Sequence, residues 1–551
     1  MSVASSAVAV AARFPWWVWA VLAICWFATI SLRPLLEPDE GRYAEIPREM
    51  LASGDWVTPR LNDLQYLEKP PLQYWATASV YSLFGVSEWT SRAFAFLLAF
   101  LCLPMVYAFA RSVSGSTGVG VAGALALAVN PAFAVIGRIN LLDDAFTFFL
   151  SASLFAFLLA MQSDQRSSRE RRWMLAMWAS LGLAVLTKGI AAPMLCGATL
   201  LVYSLITRQW FVWRRLHWAS GLALFAAIVV PWFFLVSQRN PGFVQFFFVH
   251  EHFQRFATDV SNRPGPWWYF LPYVAAAIVP WAAALWRQRQ GMPTEPLASR
   301  CDAVRVEVFL LVWAAIVVVV FSVSQSKLVP YVLPAMPALA VVVASRIARD
   351  SRSMAAATWW VAGTLAIVGA AMLAHAMREL GAIPAGVALP VATTAIAVVW
   401  LVCDMLVRRR SHGLARSAWS IAAVSVFGWS LLAMSFAAAD PSRSARSLVA
   451  AMRAQIGAET ELFSVGQYRQ TVAPYLGRTS RLVDFRGELD FGLRQEASDP
   501  EMSLDQFIRH WEGLRDGIAI LSIDRYAKLE HQLAPFVIVA RDRNSVVIKR
   551  T

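Results

Sequence analysis

Trp16-Trp-Val-Trp-Ala-Val-Leu-Ala-Ile-Cys-Trp-Phe-Ala-Thr-Ile-Ser-Leu32 runs without a break into Arg33-Pro-Leu-Leu-Glu-Pro-Asp-Glu-Gly-Arg-Tyr-Ala-Glu45. The first half is uncharged and close to the ~20 residues that cross a bilayer core; the second crowds ionisable groups against its end. A membrane helix followed by a charged outer loop is the reading that organises the rest of the chain. Around it stand 551 residues that are 58% hydrophobic and 15% charged, with 24 Trp and 33 Phe, a composition that excludes a string of soluble domains.

Further apolar runs follow at Thr90–Ala110, Thr117–Phe133, Leu142–Met161, Trp173–Thr187, Ala191–Ile206, Trp218–Val236 and Trp267–Trp286. They continue at Val306–Ser324, Val329–Ser345, Ala355–Ala374, Gly386–Val407 and Ala418–Ala438, about thirteen crossings in all. Arginines crowd alternate connections: 166–172, 208–215, 287–305, 346–352 and 408–416. By the positive-inside rule that side is cytoplasmic, which also accounts for the net charge of +13 without nucleic acid. An odd number of spans then places the N-terminus inside and everything after Ala438 outside, with two long outer loops, residues 33–89 and 237–266. The N-terminus carries Arg13 and no clear cleavage site, so the first helix is read as uncleaved. Cys25, Cys102, Cys196, Cys301 and Cys403 have neither C-x-x-C spacing nor a place in the last hundred residues, which argues against a disulfide framework.

From Asp440 the composition changes. Glu461–Val465, Ser480–Phe485, Ile518–Ile523, Phe536–Ala540 and Val546–Ile548 read as strands, with helices at Ser444–Ile456 and Ser503–Leu514. The expectation is a membrane domain over 1–438 and a small α/β domain over 439–551, without the Gly-rich turn of a nucleotide site.

The chemistry is expected on the outer face. Asp39 and Glu40 follow Pro38, which stops any helix before them; adjacent carboxylates at a helix start can address a cationic or hydroxylic substrate, or Asp39 can simply cap the helix. Asp143-Asp144 repeats the arrangement at the outer start of a span. Glu45, Arg48 and Glu49 read as solvated ion pairs. Arg42, Lys69, Lys188, Arg255 and Lys327 stand where topogenic cations are not needed and together suit phosphate oxygens. His250 and His252 can share one zinc ion with Glu68 if their segment is extended; in a helix they point roughly 200° apart and the site fails.

Pro38-Asp-Glu-Gly-Arg-Tyr-Ala-Glu-Ile and Leu67-Glu-Lys-Pro-Pro-Leu resemble the first periplasmic loop of the bacterial polyprenyl-phosphate-dependent glycosyltransferases of the GT-C class, most closely the lipid A aminoarabinose transferases. Arg138-Ile-Asn-Leu-Leu-Asp-Asp, Leu186-Thr-Lys-Gly, Glu251-His-Phe-Gln-Arg-Phe and Ser326-Lys-Leu-Val-Pro-Tyr-Val-Leu-Pro are similar to that family at successive outer positions. The resemblance is thin over the C-terminal domain.

The resemblance implies transfer of 4-amino-4-deoxy-L-arabinose from undecaprenyl phosphate to a lipid A phosphate at the outer leaflet of the inner membrane, with inversion and without a nucleotide sugar, giving polymyxin resistance. It implies Asp39 as the essential first-loop carboxylate and Asp143 as the second. Lys69 and Arg255 would hold the donor phosphate, and Tyr43, Tyr66 and Tyr331, with Glu40 and Asp144, would line the pocket. His250 departs from the family's pattern before Glu251-His252, so the resemblance does not extend metal binding to the family at large. The alternatives are a protein O-mannosyltransferase-like enzyme, in which Asp39 would act as base, and a lipid-phosphate transporter.

Overall fold

The computed structural model describes residues 16–254, 264–278, 281, 304–347, 428–429, 440–495 and 501–551. The chain separates into two compact units: residues 1–30, 95–234 and 248–439 in one, and 31–94, 235–247 and 440–551 in the other. The change of unit at 439/440 lies beside the expected boundary, and the second unit also takes in earlier segments. The first outer loop, assigned from sequence to the membrane domain, packs with the C-terminal segment instead, because its polar groups find their partners there.

The first unit is helical. Among the described residues five helices are long and apolar enough to cross a membrane: Glu88–Ser114, Leu142–Met161, Trp218–Arg239, Val306–Val323 and Val329–Arg346. Trp16–Phe27, Thr117–Ala128 and Ala191–Thr207 are shorter apolar helices. The expected span Thr117–Phe133 breaks in two: Asn130 caps a new helix Pro131–Ile136, its side chain accepting from the Phe133 amide at 3.2 Å. Pro131 forces the break by disfavouring helical backbone at the residue before it. Leu142–Met161 packs along Ser168–Lys188, and Thr117–Ala128 along Met336–Ile347. Large rings fill the interior, with Phe109 and Phe155 stacked at 4.0 Å.

Arg215, read from sequence as topogenic, also closes this unit. Its guanidinium pairs with Glu170 at 2.7 Å and donates to the Ser163 carbonyl at 2.9 Å, just past the C-terminus of Leu142–Met161, where a cation is favoured. The expected spans Ala355–Ala374, Gly386–Val407 and Ala418–Ala438 lie largely outside the described residues, as do Cys301 and Cys403. Cys25, Cys102 and Cys196 are free thiols.

In the second unit, the stretch 33–89 is not a loop. It holds the helices Asp39–Ser53 and Leu72–Phe84, with a hairpin Arg60–Leu61/Leu64–Gln65 between them. Gly54, at φ 71°, ends the first helix by donating its amide to the Met50 carbonyl. Glu45 and Glu49 are buried, contrary to the solvated reading. Glu45 is matched by Arg48 at 2.8 Å, and Glu49 accepts the Asn62 and Asp63 amides at 2.7 and 2.9 Å.

The C-terminal sheet has six strands in the order 501–502, 481–483, 461–465, 517–522, 545–550, 536–541. The first four run parallel and the last two close antiparallel, with Phe463 beside Ala519 and Ile520 beside Val547. Central strands are buried on both faces, as parallel strands covered by helices must be. Phe463, Val465, Ala519 and Leu521 point into a core with Phe507 and Trp511, while Leu462, Ile518, Ile520 and Val547 meet Leu448, Val449 and Met452 on the other side. The sequence-based strands fall within a few residues of these. The helix Ile523–Leu533 was not anticipated.

Candidate active site

The helix Asp39–Ser53 begins directly after Pro38, which makes no side-chain cap; Asp39 is its first residue and caps nothing. Two neighbouring acids therefore have separate fates. Glu40 is fully buried and gripped from two sides: Arg33 donates at 2.8 Å, and Arg92, 52 residues further on, donates at 2.9 and 3.0 Å. Burial alone would raise its pKa; Arg33 and then Arg92 outweigh burial and hold the carboxyl far below the usual range. Glu40, expected in the pocket, is a structural anchor. Asp39 has a side chain 36% exposed and only a loose 3.8 Å pairing with Arg42.

Arg42, expected on donor phosphate, is engaged within this unit. It pairs closely with Glu488 and donates to the Tyr66 hydroxyl at 3.1 Å. Burial opposes its charge, but Glu488 foremost, with Asp39 behind it, keeps the guanidinium charged well above its ordinary range. Burial likewise pushes the Tyr66 hydroxyl up, so it acts as a neutral hydrogen-bonding group. Tyr43 is buried with its ring 6.2 Å from that of Tyr74. Lys69 Nζ donates to the Glu68 carbonyl at 3.0 Å and lies 3.9 Å from its carboxylate, with its side chain 19% exposed. Asp39, Arg42, Tyr43, Tyr66, Glu68, Lys69 and Glu488 thus form one cluster, in which Asp39 offers the most reachable carboxylate.

Glu488 was missed by sequence reasoning, because the C-terminal domain gave no motif. It belongs to a larger seam. Glu37, two residues before Asp39, accepts from Arg469 at 2.6 Å, and Arg469 also meets Asp542 at 3.1 Å. A Cβ at Gly41 would come within 2.6 Å of the Gln470 carbonyl, so only glycine allows this approach. A small residue between two charged ones, Glu40-Gly41-Arg42, was the available signal.

The other unit holds a second cluster. Asp143 and Asp144 lie in the first turn of Leu142–Met161, whose cap is Leu141, so neither caps it. Asp143 is ion-paired with Lys188 at the end of Ser168–Lys188. The Lys188 ammonium also lies 4.3 Å from the Tyr331 ring centre and 5.3 Å from that of Phe146. Asp144 is buried, with neither carboxylate oxygen bonded to a described residue. Buried unmated carboxylates inside membrane helices are costly and mark function. Lys188, expected on donor phosphate, is thus committed in part to Asp143.

Lys327 has a different polar partner. Its ammonium donates to the Ser324 carbonyl at 2.6 Å, and it lines a mostly apolar cavity of about 490 Å³ with Trp267, Leu271 and Val319. Arg255 and the side chain of His252 lie outside the described residues. The extended backbone on which the zinc reading depended is not what the segment adopts. Gln245–Gln254 is helical rather than extended, so residues two apart diverge, and His250 Nδ1 sits 3.6 Å from Glu251. Among the described residues no three His, Cys, Asp or Glu side chains are grouped to hold a metal.

With this geometry in hand, the comparisons are specific. The family model for dolichyl-phosphate-mannose-protein mannosyltransferase matches residues 13–247, and that for the aminoarabinose transferase C-terminal domain matches residues 448–550, where the sequence resemblance had been thin. An undecaprenyl phosphate-alpha-4-amino-4-deoxy-L-arabinose arabinosyl transferase of Edwardsiella ictaluri is 31% identical over 337 residues, 61% of this chain and 59% of that one. A second from Pseudomonas fluorescens is 34% identical over 352 residues, 60% of this chain and 56% of the relative. These alignments span less than two thirds of the relatives' length. The crystal structure of ArnT from Cupriavidus metallidurans bound to undecaprenyl phosphate superposes with a TM-score of 0.85 at 33% identity, over 97% of both chains. Kinship on that scale, together with the apolar helices, makes this a multi-pass protein of the inner membrane.

Proposed function

Because the chain belongs to the ArnT family of GT-C transferases, we propose that it is an inverting glycosyltransferase moving 4-amino-4-deoxy-L-arabinose from undecaprenyl phosphate to a lipid A phosphate at the periplasmic face, and so confers polymyxin resistance. The match to undecaprenyl-phosphate-bound ArnT along 97% of both chains carries this reading.

The residues support a division of labour. The bond from the anomeric carbon to the donor phosphate oxygen breaks as an oxygen of the acceptor phosphate bonds to the opposite face of that carbon. The acceptor is already an anion, so no strong base is required. Cations that tighten on the departing phosphate lower the barrier. Lys69, partly exposed, serves there; Arg255, the other cation expected on that phosphate, lies outside the described residues. Asp39, the reachable carboxylate of its cluster, binds the sugar's ammonium and stabilises the positive charge that develops at the anomeric carbon. Asp143 is the second essential carboxylate and fixes the position of Lys188 by their ion pair.

The arginine-rich connections set the orientation, and the grouping of residues 31–94, 235–247 and 440–551 in one compact unit supports placing them together on the outer side. With a first crossing at Trp16–Leu32 and arginine-rich loops inside, the N-terminus is cytoplasmic and the C-terminal domain periplasmic.

Protein O-mannosylation draws on the family match over 13–247; the match over 448–550 favours the aminosugar. The test is mass spectrometry of lipid A from cells with and without the protein, paired with a transfer assay of the purified chain in detergent. An added aminopentose in both supports the proposal. Unchanged lipid A, or activity that requires a sealed membrane, overturns it.

A further inference from the structure

A cavity of about 420 Å³ lies within the second unit and is lined by none of the residues of the Asp39 cluster. Its walls carry Arg446 and Arg453, one turn-pair apart on the helix Arg446–Arg453, above a floor of Val449 and Leu35. Glu88 is its single carboxylate and is shared: Arg446 approaches it at 3.5 Å and the Tyr475 hydroxyl donates to it at 3.2 Å. Arg453 donates to the Tyr475 carbonyl, and its remaining donors face solvent. Two guanidinium groups against one divided carboxylate leave the cavity electropositive.

Its position is set by the chain. Leu35 follows the first apolar run closely, and Glu88 opens the membrane-crossing helix Glu88–Ser114. Beside it, Leu83, Phe84, Val86 and Trp89 are exposed, with Leu83 75% open. Large apolar and aromatic side chains left open at the end of a membrane helix belong at the headgroup level of a bilayer. Positive charge at that level, with apolar side chains beneath it, matches a phosphate ester attached to an acyl chain.

We propose that this cavity is a second lipid site, in which Arg446 and Arg453 hold the phosphate headgroup of an outer-leaflet lipid whose chains run along the exposed face at Leu83–Trp89. The site is independent of sugar transfer and does not use the residues assigned to it.

The test is native mass spectrometry of the purified full chain in detergent, offered phosphatidylglycerol, lipid A, phosphatidylcholine or inorganic phosphate. Each cation near an anionic headgroup contributes about 1 kcal/mol, so Arg446→Ala with Arg453→Ala should weaken retention of one anionic lipid by about tenfold or more. Ala450→Trp, which fills the cavity without altering charge, should displace the same lipid. Both variants change exposed positions, and an unaltered melting transition verifies their fold. Preference between phosphatidylglycerol and lipid A identifies the source of the phosphate. Equal retention by wild type and the double variant overturns the proposal, as does inorganic phosphate binding as tightly as either lipid.

Discussion

Asp39-Glu40 and Asp143-Asp144 look alike in sequence: two adjacent acids in the first turn of a helix. Folding divides each pair, in opposite order. At the outer helix the second acid is locked between two arginines and the first remains reachable. At the membrane helix the first acid is locked by a lysine and the second has no described partner. Spacing therefore does not assign roles. What decides them is which carboxylate a distant cation reaches, and Arg92 and Lys188 arrive from 52 and 45 residues away.

If that division is functional, Asp39→Asn should reduce transfer by at least about a hundredfold with an unchanged melting transition, because an amide neither pairs with the sugar's ammonium nor carries opposing charge. Near-wild-type turnover would erase the distinction between reachable and locked acids. Glu40→Gln should do the reverse and damage the fold first. Removing one charge from a buried, hydrogen-bonded network destabilises by about 3–5 kcal/mol, read as a lowered unfolding midpoint whether or not activity can be measured.

The membrane pair sharpens the same contrast. Lys188→Met should destabilise the chain and abolish transfer, since it leaves Asp143 unmated beside Asp144; adding Asp143→Asn should recover stability but not activity. Recovery of both would reduce the pair to packing. A smaller effect is expected at Glu488→Gln, which loosens Arg42 beside Asp39: a loss of about tenfold in kcat/KM, partly recovered by Glu488→Asp, with the melting transition nearly preserved.

A separate expectation is a pH effect at Glu49. Burial, and then the adjacent Glu45, push its carboxyl up to about 9 against an ordinary value of 4.5. The folded chain then holds a proton that the unfolded chain releases, so this contribution is complete below about pH 4.5 and is lost as pH rises towards 9. Glu49→Gln should flatten the decline of stability between those limits. An identical decline in the variant would assign it to other groups.

How much of this was legible follows from the same residues. The strands near 461, 517 and 545 declared themselves because β-branched and aromatic residues cluster there between polar turns, a local property. The start of Asp39–Ser53 was signalled by Pro38, but its length and the helix Leu72–Phe84 were not, because Pro47, Pro70 and Pro71 mimic loop punctuation and the helix burying Glu40, Glu45 and Glu49 has no apolar stripe. Ile523–Leu533 was hidden for the opposite reason: only Leu529 and Leu533 on it are fully buried. As candidates, the individual acids and tyrosines were readable from the motifs. Their sorting into anchors and reachable groups was not, because the partners Arg92, Lys188 and Glu488 are set by tertiary contact.

The seam joining Glu37, Gly41 and Arg42 to residues 469–488 has a temporal consequence. Glu37 and Arg469 stand 432 residues apart in the chain. Synthesis therefore reaches the helix around Asp39 long before its clamps, and that helix waits without its latch until residues 469–488 have been made and folded.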